Sequence, residues 1–286
     1  MKRRAIQSDD INAVLAFYET CVQTAMFPLI NLRDNGLSNQ IANPAPRSVQ
    51  GCIAEDQSGV QAVTSVTHEG IIMPVLPNGD CGLWSVVKKS IQNCSLIGVL
   101  GAANQVRSGL KALNLVDAPT RMNEDEPQYS LKRGQLRPVK CDGKHLKPFS
   151  TMPRDLLVSW RTAYASEVLG LTSPDEAGQE VDAYTVRDSH RVLMDGNIPV
   201  AMTGFNATTS ECVQVGGVFT PRNNRGRGYA SQALTLHLQE AFGMGVSNVT
   251  LFAASADAAR IYERLGFERI GEYALVIFET PQKVTP

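Results

Sequence analysis

Residues 212–238, CVQVGGVFTPRNNRGRGYASQALTLHL, read as an apolar strand, a loop of arginines and glycines, and a helix, with no spacer between them. The strand ends at Thr220, Pro221 turns the chain, and Arg225-Gly226-Arg227-Gly228 leads straight into the helix. There Ala230, Ala233, Leu234, Leu238 and Ala241 recur on one side. Glycines at such a junction let successive N–H groups point at one spot, because no Cβ stands in the way of a ligand. The first turn of the helix adds unsatisfied donors and a partial positive charge. The combination predicts a site for a phosphate or pyrophosphate. Arg222, Arg225 and Arg227 add charge that suits a terminal nucleotide phosphate better than a lone carboxylate.

The rest of the chain excludes other sources of anion affinity. Net charge is -1, so there is no global basic field to gather nucleic acid or anionic membrane. No run approaches the roughly 20 apolar residues of a membrane span. The opening MKRRAIQSDDINAVL lacks the apolar core of a secretory signal. Six cysteines, Cys21, Cys52, Cys81, Cys94, Cys141 and Cys212, lie far apart, with no C-x-x-C and no clustering with the four histidines. That spacing predicts reduced thiols in a cytoplasmic protein, with no metal site and no disulfide frame.

At 286 residues the chain suits two domains of middling size. A polar, proline-dotted stretch over residues 117–145 places their boundary near Cys141, giving domains 1–141 and 142–286. The first half predicts a helix capped by Asp9 or Asp10, strands at QGCIAE, GVQAVTSV and GIIMPVLP, and a helix near Leu83 to Ile91. A strand LIGVLG and a helix from Gln105 to Leu113 follow. The second half predicts a helix with Leu157, Trp160, Arg161, Tyr164 and Val168 on one stripe, then two strands joined at Asp195-Gly196. The strand–loop–helix unit follows, then a strand NVTLFAA, a short helix DAARIYERL and a last strand GEYALVIFE. Strands outnumber helices and mostly follow one another directly. The fold class is therefore mixed α/β, a mostly antiparallel sheet with flanking helices. IGVLGAANQVRSGLKAL and VTLFAASADAARIYERL share an order of strand, small residues and amphipathic helix, a local echo between the halves.

Other phosphate loops do not fit. A Walker loop needs G-x-x-x-x-G-K-[ST], which is absent, and a dinucleotide fingerprint needs a third glycine where Ser231 stands. Arg225-Gly-Arg-Gly228-Tyr-Ala230 instead resembles the R/Q-x-x-G-x-G/A motif of the GNAT N-acetyltransferase superfamily. AARIYERLGF resembles that family's closing A-x-x-x-Y-x-x-x-G-F segment, at the right spacing. The resemblance covers about the last 140 residues. The first half resembles a decayed GNAT-like domain of tandem members, and its LPNGDCGLWSVV lacks the arginine–glycine pattern and offers Asp80 instead.

The resemblance implies two tandem GNAT-like domains and acetyl-CoA as co-substrate. It implies direct acetyl transfer to an amine of a small molecule, amino acid or peptide. Gly226, Arg227, Gly228, Tyr229, Ala230 and Ser231, with Arg225, would hold the pyrophosphate, and Val218, Phe219 and Thr220 would lie along the pantetheine arm. Gly216-Gly217 would splay the strand, and Val218 N–H would polarise the thioester carbonyl. Tyr262 stands where the family has its tyrosine acid, the role the resemblance favours over packing on a helix with Ala258, Ile261 and Leu265 inward. No base is assigned: Gln214 cannot take a proton, Glu211 should face the other side of its strand, and Glu167 reads as a solvated carboxylate sooner than as a water-mediated base. His68, His145, His190 and His237 show no partners in the sequence. The first half is expected to bind no CoA and to act as scaffold, dimer surface or acceptor-site wall. A CoA-sensing module without turnover is the alternative reading, while nucleic acid and membrane are not expected partners.

Overall fold

The computed structural model describes residues 1–168 and 173–284. Its first half runs β1 (Lys2–Ala5), α1 (Ile11–Thr20), α2 (Val22–Asn35), β2 (Val49–Asp56), β3 (Gly59–Thr67) and β4 (Ile71–Val75). Then come α3 (Trp84–Ser90), β5 (Leu96–Ala102), α4 (Ala103–Ala112) and β6 (Thr120–Lys132). The second half runs β7 (Lys144–Pro148), α5 (Arg154–Val168), α6 (Pro174–Val186), β8 (His190–Asp195), β9 (Ile198–Thr208) and β10 (Cys212–Phe219). It closes with α7 (Tyr229–Gly243), β11 (Asn248–Phe252), α8 (Ala256–Arg264) and β12 (Glu268–Gln282). The expected mixed α/β class, mostly antiparallel with flanking helices, is observed.

Two compact units form, residues 1–126 with 271–286, and residues 127–270. The division does not fall at Cys141. Residues 128–132 of β6 pair with β11, and residues 273–282 of β12 pair with β5. Each half of the sequence thus contributes its last strand to the other unit. The stretch expected to separate the halves holds β6 instead, with QYSLKRGQL, whose alternation reads as a closing strand, supplying its buried Tyr129 and Leu131.

The first unit orders its strands β1-β2-β3-β4-β5-β12, and the second β6-β11-β10-β9-β8-β7. Adjacent strands run antiparallel except β4 with β5 and β10 with β11, the two pairs joined through a crossover helix. The local echo noted in the sequence falls on β5–α4 and β11–α8, which follow those parallel pairs in the same way. Helix α1 begins at Ile11, after a 3-10 turn at Ser8–Asp10. The Asp10 carboxylate accepts Gln7 N–H at 2.8 Å and pairs with Arg4, so it secures that turn and does not cap the helix.

In the second unit the sheet is covered on both faces. Val213, Val215, Val249 and Leu251 pack with Leu234 and Leu238 of α7 and Tyr262 of α8. On the opposite face Val192, Met194, Met202 and Phe219 pack with Leu157 and Trp160 of α5 and Val181 and Tyr184 of α6. Each such side chain stabilises the unit by about 1.5–3 kcal/mol through burial, which fixes the strands carrying the loop.

Candidate active site

Strand β10 parts from its neighbour. Its parallel pairing with β11 runs from Cys212↔Asn248 to Val215↔Leu251 and stops there. Its antiparallel pairing with β9 continues, Gly216 opposite Gly204 and Phe219 opposite Met202, with one extra residue on β10 between them. This is a bulge, and Gly217 takes φ +62° within it, a conformation that disfavours any residue with a Cβ. Gly216-Gly217 therefore bend the strand where the sequence suggested. Past the bulge Val218 is half-buried, while Phe219 meets Trp160 and Tyr164 at centroid distances of 6.4 Å each. Trp160 and Tyr164 thus pack as core. Thr220 carbonyl oxygen accepts Nε of Arg225 at 2.9 Å, which ties the start of the loop to the end of the strand.

The loop is open. Gly226 and Gly228 adopt φ +77° and +78°, and a Cβ on either would meet no atom within 4 Å. The first backbone hydrogen bond of α7 runs from Gln232 N–H to Gly228 carbonyl at 3.1 Å. Among the described residues, no acceptor takes a hydrogen bond from the N–H groups of Gly226, Arg227, Gly228, Tyr229, Ala230 or Ser231. Six successive donors at the positive end of a fifteen-residue helix offer an anion both hydrogen bonds and favourable potential.

The helix start is anchored from below. Tyr229 is buried, and its hydroxyl donates to Asp195 Oδ2 at 2.8 Å, while Lys144 Nζ lies 3.0 Å from Oδ1. Asp195 sits at the Asp195-Gly196 turn joining β8 to β9, so the hairpin holds the first residue of α7. The Tyr229 hydroxyl, then Lys144, keep the Asp195 carboxyl below the usual range. The Tyr229 ring is structural, and only its N–H lies among the open donors.

The arginines are only partly free. Glu167, near the end of α5, receives Arg225 at 2.6 Å and Arg222 at 3.2 Å. Hydrogen bonds from Arg225 and then Arg222 hold its carboxyl below the ordinary glutamate value, which makes Glu167 a poor base. Arg227 has no hydrogen bond or ion pair among the described residues.

Tyr262 on α8 is buried, edge-on to Tyr129 at 6.3 Å and 5.8 Å from the ring of Phe267. Its cluster includes Val215 and Ala253, with Val218 packed at the margin. Gln214 is buried with Nε2 on Val215 carbonyl at 2.8 Å, and its Oε1 has no partner among the described residues. His237 stacks on Phe205 at 3.8 Å, and burial pulls it down to about 3, so it is a neutral packing residue.

The corresponding turn of the first unit is closed. Asp80 Oδ1 accepts Trp84 N–H at 3.2 Å, and Asp80 carbonyl accepts Leu83 N–H at 2.9 Å, so a carboxylate of the chain serves the start of α3. Arg3 Nε donates to Cys81 carbonyl at 2.5 Å, and a Cβ on Gly82 would lie 3.1 Å from the Arg3 guanidinium. On β4, Pro74 has no N–H to give, and Leu76 N–H goes to Gln105 Oε1 at 2.9 Å.

Residues 155–267 match the model of the acetyltransferase (GNAT) family. No curated protein sequence matches the chain. Among solved structures, a tandem GNAT protein from the clavulanic acid biosynthesis pathway is similar at TM-score 0.57 and 11% identity, over 100% of this chain and 99% of that one. A GCN5-related N-acetyltransferase from Sphaerobacter thermophilus is similar at TM-score 0.56 and 16% identity, covering 100% and 96%. A GNAT-family acetyltransferase from Colwellia psychrerythraea is similar at 0.55 and 14%, covering 98% and 100%. At these identities the solved structures speak for the fold, two GNAT-like domains in tandem, and the family match speaks for the second. The strand that splays, the open loop and the helix behind it all lie within residues 155–267, the segment that matches the acetyltransferase (GNAT) family.

Proposed function

We propose that the second unit is an acetyl-CoA-dependent N-acetyltransferase that passes the acetyl group directly to an amine of a small molecule, amino acid or peptide. The observation that carries this reading is the run of six N–H groups from Gly226 to Ser231 without an acceptor. They would hold the pyrophosphate, with Arg225 and Arg227 beside it and the 3′-phosphate within reach of Arg222. The pantetheine would lie along Val218, Phe219 and Thr220, in the opening left where β10 parts from β11. Val218 N–H, on the bulge, would stabilise the oxyanion as the amine nitrogen attacks the thioester carbon. Tyr262 would return a proton to the departing thiolate. The closed turn of the first unit supports the reading that only the second unit binds CoA. Six free thiols favour the cytoplasm, and a homodimer is compatible with the chain.

A second reading, a CoA sensor without turnover, draws on one observation: neither the ion-paired Glu167 nor the amide of Gln214 can serve as a base. Calorimetry with CoA, followed by thiol release from acetyl-CoA over a panel of primary amines, separates the two. Saturable CoA binding with amine-dependent thiol release is expected. Binding without thiol release would leave the sensor, and no binding at all would overturn both.

A further inference from the structure

The face of the second unit covered by α5 and α6 carries a histidine that the sequence left without a partner. His190 opens β8 and lies opposite Gly204 of β9, which in turn lies opposite Gly216 of β10. Gly204 leaves the sheet bare beneath the imidazole, which fills that space, while the Asn206 amide fills the space over Gly216. A Cβ on Gly204 would run into Cδ2 and Nε2 of His190, and a Cβ on Gly217 would lie 3.2 Å from Nε2. The ring therefore reaches over β9 to the β10 bulge, one residue short of Val218. Its orientation is fixed: Tyr184 stacks on it at 3.8 Å and 15°, Phe149 flanks it at 5.2 Å, and Ser189 Oγ lies 2.9 Å from Nδ1. Nε2 has no hydrogen-bond partner among the described residues.

Packing alone would be served as well by a phenylalanine between two aromatic rings. An imidazole with one nitrogen held by a hydroxyl and the other directed at a backbone bulge is an arrangement with a direction. Resting on the acetyl-transfer reading above, we propose that His190 is the proton acceptor for the incoming amine, with Nε2 facing the nitrogen that attacks the thioester at the β10 bulge.

In the tautomer that donates Nδ1–H to Ser189 Oγ, the lone pair lies on Nε2. Burial, then the positive surroundings, hold the imidazole well below its ordinary value, so it is neutral at pH 7. The positive groups are Arg161 on α5, Arg187 after α6 and Arg191 on β8 itself; His237 on α7, which opposes a second charge, is itself neutral. Arg161 is matched by Glu180, and Arg191 by Asp188 and Glu240. The step balances as follows. The acceptor enters as an ammonium and gives one proton to Nε2, which passes it to solvent. The freed nitrogen pair forms the C–N bond, the C–S bond breaks with its pair on sulfur, and the second proton from nitrogen ends on the thiolate by way of Tyr262. The products are an amide, CoA thiol and one released proton.

The test is His190→Gln in the full chain, with thiol release from acetyl-CoA measured across pH on the best primary amine of the panel and on hydroxylamine, which is already neutral at pH 7. Expected is a loss of about 100-fold or more with the amine near pH 7. The loss should narrow as pH rises and the free amine accumulates. CoA affinity should be unchanged, and the loss with hydroxylamine much smaller. A variant equally impaired on both nucleophiles at every pH would make His190 a packing residue and overturn the proposal, as would an unimpaired variant. If wild-type protein releases thiol with none of these nucleophiles, it is the acetyl-transfer reading itself that falls. Should His190→Gln not fold, Ser189→Ala frees Nδ1 while leaving the stack: a pH-dependent loss with the amine but not with hydroxylamine is expected, and equal rates on both would overturn the proposal.

Discussion

Glu167 holds in the free protein the two arginines that the proposed function gives to the coenzyme. Arg225 and Arg222 reach it at 2.6 and 3.2 Å, with side chains 46% and 80% exposed against 28% for Glu167. For CoA to use them, these pairs must open. Exposed ion pairs are each worth ~0.2–1 kcal/mol, and the more exposed Arg222 pair belongs at the low end. Opening both therefore costs about 0.5–1.5 kcal/mol. Replacing Glu167 by Gln removes that cost and should tighten CoA binding about 2- to 12-fold, with RT ln 10 near 1.4 kcal/mol. Because Arg222 is assigned to the 3′-phosphate and Arg225 to the pyrophosphate, dephospho-CoA should gain less than CoA, keeping only the Arg225 share. The difference should shrink as salt is raised, since the groups are at the surface. Isothermal titration of CoA and dephospho-CoA into both proteins at low and high ionic strength measures this. Glu167→Gln binding CoA no more tightly would refute the assignment of both arginines, and an equal gain for both ligands would refute that of Arg222.

Other perturbations follow from the same geometry. Gly228→Ala puts a Cβ on a backbone at φ +78°, costing about 1–2 kcal/mol of stability. CoA affinity should fall more than ~10-fold because the new methyl stands among the donors; unchanged affinity by calorimetry would argue against the loop as the phosphate site. Tyr262→Phe should lower turnover at least ~10-fold with CoA affinity unchanged, and full turnover would return Tyr262 to a packing role. Asp195→Asn should lower the melting temperature at pH 7. The Asp195 carboxyl is depressed in the folded chain, so its contribution is present above the unfolded value and lost as pH falls through the folded one. The gap between variant and wild type should accordingly close below about pH 4, and a gap independent of pH would mean the Tyr229 anchor is not ionic.

Much of the second half was legible because its signals are local. A strand running into Arg-Gly-Arg-Gly and a helix needs no distant partner to be recognised, and Asp195-Gly196 marks its hairpin unaided. What escaped depended on context. Helix α2 carries Pro28 in its middle, which sequence rules treat as a break, yet burial of Met26, Leu29 and Leu32 around it holds the helix. Helix α6 did have a sign: Ser173 and Glu176 form a reciprocal cap, Ser173 Oγ accepting Glu176 N–H at 3.1 Å. The division at Cys141 could not be corrected from pattern alone, since a strand's partner is set by tertiary pairing. Glu167 looked like a solvated carboxylate because its arginines lie 55 and 58 positions away. His190 gave no sign for the same reason, as Gly204 and Gly217 only come beside it when β8, β9 and β10 align.

The exchange of final strands has a consequence for how this molecule is made. Ala102 on β5 waits for Tyr273, 171 positions downstream. At a ribosomal pace of about 5–20 residues per second, that is on the order of 10–30 seconds during which the nascent first unit has a raw edge and β6 is still without β11. The first 126 residues are therefore no independent module: their sheet is complete only once residues 273–282 have left the ribosome.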